Sequence, residues 1–147
     1  MRFLCFLVSL LLSFNAFAQS KEETQAWLIK QTEVNPPGLK YTSDADELVI
    51  HFVLPFETIR KAIPINKIKT IGVTHTNRYL SYSLMCDSPC TYLVDEPETK
   101  QPRLLFEIYQ RLDSAFIPRM NKALLHLIRL NGGNATIVKQ DTPKEAF

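Results

Sequence analysis

The chain has few of the features on which common enzymes depend. Its 147 residues include only four glycines and three cysteines, and no glycine-rich phosphate loop, G-x-S-x-G turn or H-E-x-x-H helix occurs in the sequence. A strong charge of one sign is also missing, because 17 lysines and arginines stand against 15 aspartates and glutamates. Nucleic-acid-binding domains are usually markedly basic, so this balance favours no nucleic-acid partner. These absences favour a non-catalytic role.

Long apolar runs are absent except at the amino terminus. Residues 1–18, MRFLCFLVSLLLSFNAFA, carry Arg2, then an apolar run from Phe3 to Leu12, and end in small residues around Ala18. This layout is typical of a secretory signal peptide that is cleaved after Ala18. The run is shorter than the roughly 20 apolar residues that span a bilayer. We therefore expect a secreted or periplasmic protein without a transmembrane segment after cleavage.

Residues 19–147 have the length of one ordinary domain, which can bury a core without a metal or cofactor. We therefore expect a single domain and no cofactor. We expect a few ordered residues at 136–138, followed by a polar tail that frays from about residue 139.

A capping box predicts where the first helix begins. Ser20 is followed three residues later by Glu23, so each side chain can accept a hydrogen bond from the other residue's backbone amide. We predict a helix from Lys21 to Val34, which ends at the NPPG sequence that follows. The side expected to face the core carries Trp27, Leu28 and Val34.

Between Leu39 and Gln110 the apolar residues alternate with a period of two, which is typical of strands. The strand-like stretches are ELVIHFVLP, NKIKTIGVTH, YLSYSLMC, CTYLVD and RLLFEIYQ, which start at residues 47, 66, 79, 90 and 103. The polar, proline-bounded EPETKQP, residues 96–102, is expected to be a loop. The middle of the chain therefore predicts an antiparallel meander of five or six strands.

A second helix is predicted within DSAFIPRMNKALLHLIRLNGG, residues 113–133. Asp113 or Ser114 can cap it, Pro118 suits its first turn, and Gly132 or Gly133 can end it. Its apolar stripe must pack against another element. The stripe consists of Phe116, Met120, Ala123, Leu124, Leu127 and Ile128.

This order of elements resembles the pleckstrin-homology-like (PH-like) fold, including its GRAM and bacterial PH-like relatives. AIPINKIKTIGV, residues 62–73, resembles the turn into a strand seen in many members, and RMNKALLHLIRL, residues 119–130, resembles their closing helix. The resemblance implies an α+β domain, in which a C-terminal amphipathic helix packs on a curved sheet or small barrel and a shorter helix precedes it. A cystatin-like or NTF2-like sheet wrapped on the N-terminal helix is the alternative.

The mature chain is also similar to small exported proteins of unassigned function from Bacteroidetes-type bacteria. That likeness rests on the TxxWL pattern of the first helix, on the two neighbouring cysteines and on the AlxHLixL pattern of the last helix. It implies an envelope or secreted location and no particular activity.

Cys86 and Cys90 enclose the short sequence DSP. Cys5 should leave with the signal peptide, so these two cysteines remain, and an oxidising compartment favours a disulfide between them. We predict a disulfide that pins a hairpin whose strands end at Cys86 and restart at Cys90. If the cysteines form a non-hydrogen-bonded pair, their α-carbons should lie roughly 4.5 Å apart.

Metal binding and acid–base catalysis have weak support in the sequence. His51, His75 and His126 are too widely spaced to supply the closely spaced ligand pairs of structural zinc sites, so no metal site is expected. We assign no catalytic residue. An enzymatic alternative uses Glu107 with His51 or His75 in a pocket at the barrel mouth.

The most organised surface pattern lies on the last helix. Arg119, Lys122, His126 and Arg129 recur at spacings of three and four, which places them on one face opposite the apolar stripe. This basic helix face suits an anionic protein, glycan or lipid surface, although ordinary solvated helices also carry such charges.

The sequence as a whole predicts an exported, non-catalytic binding or interaction module of the bacterial envelope. The alternatives are a small enzyme with a dispersed-residue site at the barrel mouth and a structural subunit of an envelope assembly.

Overall fold

A computed structural model of the chain describes residues 20–32, 39–42, 46–75, 79–108 and 115–139. Within these ranges the protein is an α+β domain with two helices and two sheets. The helices are α1 (Lys21–Thr32) and α2 (Phe116–Leu130). The strands are β1 (Leu39–Thr42), β2 (Glu47–Val53), β3 (Thr58–Pro64), β4 (Ile68–His75), β5 (Leu80–Cys86), β6 (Thr91–Leu93), β7 (Glu96–Gln101), β8 (Arg103–Ile108) and β9 (Thr136–Lys139). The predicted signal peptide lies outside the described residues and stays a prediction.

The strands form a five-stranded sheet, in the order β1-β2-β3-β6-β7, and a four-stranded sheet, in the order β8-β5-β4-β9. Neighbouring strands are antiparallel, except that β9 runs parallel to β4. Over the described ranges the two sheets do not close into a barrel. The predicted meander of five or six strands is therefore too simple, because the chain leaves the second sheet after β5 and returns to it at β8.

The strand β7 corrects a second expectation, since EPETKQP was predicted to be a loop. Residues Glu96–Gln101 instead pair with β6 at the edge of the first sheet. An edge strand pairs on one side only, so it tolerates Pro97, which has no N–H to donate. Its exposed, charged side chains hid the strand from a search for apolar alternation.

The core lies between the inner faces of the sheets and the apolar stripe of α2. Three alternating apolar residues of β8 are all buried, as is most of the stripe. Ala123 is half-buried against the same cluster. The first sheet contributes Leu48, Ile50 and Ile63. The buried residues of β8 and α2 are Leu104, Phe106, Ile108, Phe116, Met120, Leu124, Leu127 and Ile128.

Tyr82 of β5 ties α2 to the second sheet. Its side chain is fully buried, and its ring stacks on Phe106 with the ring centroids 5.3 Å apart. Its hydroxyl donates a hydrogen bond to Oδ1 of Asn121 on α2 at 2.9 Å. Burial raises the pKa of Tyr82 well above its ordinary value, so this hydroxyl stays protonated and remains a donor.

The capping box of α1 is confirmed. The Ser20 amide donates to Oε2 of Glu23 at 3.0 Å, and the Glu23 amide donates to Oγ of Ser20 at 3.1 Å. Leu28 is buried and Trp27 is half-buried against the core, as predicted, whereas Val34 lies outside the described residues. The helix also buries the polar residues Thr24, Gln25 and Thr32.

The carboxyl end of α2 is closed by two glycines. Gly132 adopts a φ of 77°, and its N–H donates to Arg129 O at 2.9 Å while that of Gly133 donates to Ile128 O at 2.9 Å. This left-handed termination satisfies the last carbonyls of the helix and confirms the predicted stop. A Cβ at Gly133 would lie 3.0 Å from Asn66 O, so a glycine is needed where α2 meets the turn before β4.

Pro118 lies in the first turn of α2, as expected, whereas the predicted caps Asp113 and Ser114 lie outside the described residues. Order after this helix was predicted for residues 136–138 and is confirmed by β9, in which Ile137 lies opposite Ile71 of β4.

Candidate functional site at a hairpin tip

The predicted disulfide between Cys86 and Cys90 is confirmed. The prediction that the two cysteines lie in one hairpin is wrong. The strand β5 pairs with β4 and β8, whereas β6 pairs with β3 and β7. The two α-carbons lie 6.2 Å apart, which is wider than expected because Cys90 precedes β6 and has no cross-strand partner. The disulfide therefore closes the corner where the chain crosses from the second sheet to the first.

A polar cluster covers the outer face of the first sheet. Tyr92 of β6 lies opposite Ala62 of β3, and its hydroxyl donates to Oε1 of Glu47 on β2. Its ring therefore crosses over Ala62, which is fully buried even though it points away from the core. Lys100 places its Nζ 4.3 Å from the centre of the same ring. Burial and the hydrogen bond to Glu47 raise the pKa of Tyr92 from 10.0 to about 12.

The raised pKa of Tyr92 predicts a specific loss of stability at alkaline pH. In the unfolded chain this phenol ionises near 10.0, but in the folded protein it does so near 12. The folded state therefore retains a proton that the unfolded state loses, and the free energy of unfolding should fall as the pH rises through that interval. Urea titrations of the parent and of Tyr92→Phe across this range measure the effect. The free energy of unfolding of Tyr92→Phe should fall less steeply with pH than that of the parent. Parallel curves of this free energy against pH would contradict the raised pKa of Tyr92.

Among the described residues, the two most exposed large hydrophobic side chains, Phe56 and Val53, lie at the turn between β2 and β3. Val53 is 63% exposed, Leu54 is 45% exposed and Phe56 is 100% exposed, with Pro55 exposed between them. We call these four residues, Val53, Leu54, Pro55 and Phe56, the apolar tip. Exposed turns are usually polar, so a turn in which three of the four residues are apolar, with Glu57 as the fourth, calls for an explanation.

The apolar tip is held by regular backbone pairing. The last pair of the hairpin joins Val53 to Thr58, and the Leu54 N–H donates to Glu57 O at 2.8 Å to close the loop. Pro55 fixes its own φ, and its missing N–H is not needed inside the loop. The turn therefore presents Phe56 in a defined position on an ordered hairpin.

The hairpin also extends past the neighbouring strands of the first sheet. Pairing of β1 with β2 reaches Ile50 and no further toward the tip, and pairing of β6 with β3 reaches Lys61. One more hydrogen bond, from the Val94 N–H to Arg60 O, lies beside that end. Among the described residues, the section between Ile50 and Arg60 is therefore a two-stranded ribbon with the apolar tip at its end.

Charged residues lie behind the apolar tip. Glu57 closes the loop, and Arg60 forms an ion pair with Asp95 from the turn between β6 and β7. Lys61 donates to Oε1 of Gln101 at 3.1 Å. These four charged residues, Glu57, Arg60, Lys61 and Asp95, form what we call the charged collar. It holds two positive and two negative charges, so it has no net charge.

The basic helix face is placed on α2 as the spacing predicted. Arg119, Lys122 and Arg129 are exposed, and His126 is half-buried. The helix contains no aspartate or glutamate, so this surface is positive along its length.

The alternative catalytic residues are not brought together. Glu107 alternates with the buried Phe106 and Ile108, so it lies on the outer face of the second sheet. His51 lies opposite Arg60 on the outer face of the first sheet, and His75 is exposed at the end of β4, a strand that β5 separates from β8. In the described part of the chain, no three histidine, cysteine, aspartate or glutamate side chains gather as a metal site would require.

The sequence did contain a signal for the apolar tip. ELVIHFVLP was interpreted as one strand, because its apolar residues continue through Leu54. The strand instead ends at Val53. A proline two residues later, followed by Phe56 and then a new alternating segment, is the pattern of a turn with apolar residues.

No protein-family model, curated protein or solved structure matches this chain. Within the described ranges, neither helix combines the length and apolar content that crossing a bilayer requires. The functional argument therefore rests on the surfaces of the domain.

Proposed function

We propose that this protein is a non-catalytic binding module that contacts its partner through the apolar tip. One observation carries the proposal. Six large hydrophobic residues are exposed among the described residues, and three of them, Val53, Leu54 and Phe56, fall within four consecutive positions. Exposed apolar side chains that are scattered singly are normal, whereas a cluster marks a contact surface.

We further propose that the module is exported to the bacterial envelope and has a PH-like architecture. The predicted signal peptide and the Cys86–Cys90 disulfide support an oxidising compartment. A long C-terminal helix packed on largely antiparallel sheets supports the PH-like proposal. The strand β9, which follows the helix and pairs in parallel with β4, is an addition to the expected order of elements.

The basic helix face is a second candidate contact surface. It has three exposed cations and no acidic residue on the same helix, so it is suited to an anionic protein, glycan or lipid surface. The apolar tip is the stronger candidate because exposed charge is normal on a protein surface, whereas a cluster of exposed apolar side chains is not.

Site-specific photo-crosslinking tests the proposed surface. A photoreactive phenylalanine analogue in place of Phe56 should crosslink in intact cells to a partner within reach of the tip. The same analogue in place of Val138, which is 46% exposed on β9 of the other sheet, is the matched control. Adducts at position 56 and none at position 138 are expected.

The absence of both protein and lipid adducts at position 56 would overturn the proposal. Lys122→Glu and Arg129→Glu reverse the charge of the basic helix face in the same experiment and should leave the adducts unchanged. Loss of the adducts in these variants would move the contact to α2. Copurification in a fixed ratio with other envelope proteins, without adducts at position 56, would favour the structural-subunit alternative.

A further inference from the structure

We infer that the partner of the apolar tip is a lipid bilayer, into whose interfacial region the tip inserts. This inference rests on the proposed function, because it names the chemistry of the surface that the same tip contacts. Three properties of the hairpin carry it: the polarity along its axis, the charge balance of the collar and the small area of the tip.

Polarity changes along the ribbon in the order that a bilayer interface requires. Three of the four loop residues at its end, Leu54, Pro55 and Phe56, are apolar and the fourth is Glu57. The first cations, Arg60 and Lys61, lie on β3 behind the loop. Two cross-strand pairs, Val53–Thr58 and Phe52–Ile59, lie between the loop and the level of Arg60. At about 3.3 Å per residue, with the loop added, Phe56 stands about 10 Å ahead of that level. Interfacial segments bury apolar groups to about 5–10 Å, so the collar would lie among the lipid headgroups.

The charge of the collar favours a zwitterionic headgroup layer. Arg60 pairs with Asp95, and Glu57 lies closer to the tip than any of the collar cations. Glu57 would repel a strongly anionic surface, while Arg60 and Lys61 would meet the phosphates. A surface whose headgroups carry both charges fits this arrangement. Attachment should therefore come mainly from the apolar side chains and depend little on salt.

The area of the tip argues against a second copy or another protein as its main partner. A fully exposed aromatic side chain buries about 150–250 Å², so four small-to-medium apolar residues supply a few hundred Å². Stable protein interfaces bury about 800 Å² on each partner. A bilayer has no such minimum, because it closes around a convex side chain of any shape. The tip should therefore give weak and reversible attachment to membranes.

Vesicle sedimentation tests the inference. The processed protein is mixed with vesicles of phosphatidylcholine alone and with vesicles of phosphatidylethanolamine and phosphatidylglycerol, and the bound fraction is measured against lipid concentration. Phe56→Ser should lower the partition coefficient by about tenfold, because it removes one aromatic side chain from the interface. Leu54→Ser should lower it as well. Val138→Ser is the control and should leave partitioning unchanged.

A fluorescent variant reports insertion directly. The chain has one tryptophan, Trp27, which is half-buried against the core. Tryptophan in place of Phe56 should shift its emission to shorter wavelength on adding vesicles and should be quenched by lipids brominated in their acyl chains. The parent protein, measured in the same way, gives the background fluorescence that Trp27 contributes.

Three results would overturn the inference: no sedimentation with either vesicle, equal sedimentation of the parent and Phe56→Ser, or binding only to the anionic vesicles with strong salt dependence. If protein adducts at position 56 still form in cells, the proposed function stands with a protein partner. If both experiments fail, the proposed function falls as well. Because Phe56 makes no buried contact, unchanged thermal unfolding should show that Phe56→Ser folds normally.

Discussion

Replacing Tyr82 with alanine is expected to remove about 3–5 kcal/mol from the free energy of unfolding. The side chain is fully buried, stacks on Phe106 and bonds to Asn121 across the gap between β5 and α2. The substitution leaves a cavity that α2 cannot fill without leaving the sheet. The total free energy of unfolding of an ordinary domain is about 5–15 kcal/mol. The Tyr82→Ala variant should therefore be close to unfolding. Urea denaturation followed by circular dichroism measures the change.

A milder variant separates the ring from the hydroxyl. Tyr82→Phe keeps the stacking and should cost about 1 kcal/mol, the value of one hydrogen bond. Asn121→Ala removes the acceptor, and the double variant completes a cycle whose coupling energy belongs to the Tyr82–Asn121 bond. A coupling energy of zero would show that the bond adds no stability. A loss below about 1 kcal/mol for Tyr82→Ala would contradict the position of the ring in the core.

Removal of the Cys86–Cys90 disulfide is expected to cost about 2 kcal/mol. The two cysteines are separated by four positions, so the closed loop is short and restricts the unfolded chain only modestly. The position of the disulfide matters more than the length of the loop, because the bond fixes the corner between β5 of one sheet and β6 of the other. The double variant Cys86→Ser with Cys90→Ser should unfold at lower urea concentration than the oxidised parent.

Reduction of the parent supplies the control for this variant. The reduced parent and the double serine variant should unfold at the same urea concentration, because both lack the same crosslink. A difference between them would show that the serines disturb the corner themselves. Mass spectrometry of the protein isolated from its cells should find Cys86 and Cys90 joined, and two free thiols would refute the disulfide in the native compartment.

Periodicity predicted the parts of the fold in which one face is buried. Leu104, Phe106 and Ile108 alternate with exposed or half-buried residues on β8, and the stripe of α2 repeats every three or four residues, so both elements follow directly from sequence. The two glycines after α2 were also predictable, because a helix that ends in a left-handed residue needs one.

The remaining errors have physical reasons. The buried side of α1 is largely polar. The Thr24 hydroxyl donates to the carbonyl of the capping residue Ser20, and the Thr32 hydroxyl donates to the carbonyl of Leu28 within the helix, each at 2.9 Å. Such local bonds let a polar side chain be buried. They leave no hydrophobic pattern, and therefore the sequence did not predict that Thr24, Gln25 and Thr32 lie on the buried side.

Strand partners were beyond what the alternation could show. The sequence predicts that β5 and β6 are strands, and their closeness in the chain favours a hairpin. Alternation specifies which side of a strand is buried, but it does not identify the strand with which it pairs. The apolar tip was missed for a related reason, since an apolar turn continues the pattern of the strand before it.

The last described strand controls when the second sheet can be completed. Because β9 pairs with β4, one edge of β4 keeps unpaired N–H and C=O groups until the chain beyond α2 has arrived. Contacts between residues this far apart in the sequence form slowly, and an open edge with the composition of IKTIGVTH can pair with another chain. The four residues of β9 therefore cover this edge once they have paired, and damage to them should appear as aggregation during refolding before it appears as instability of the native state.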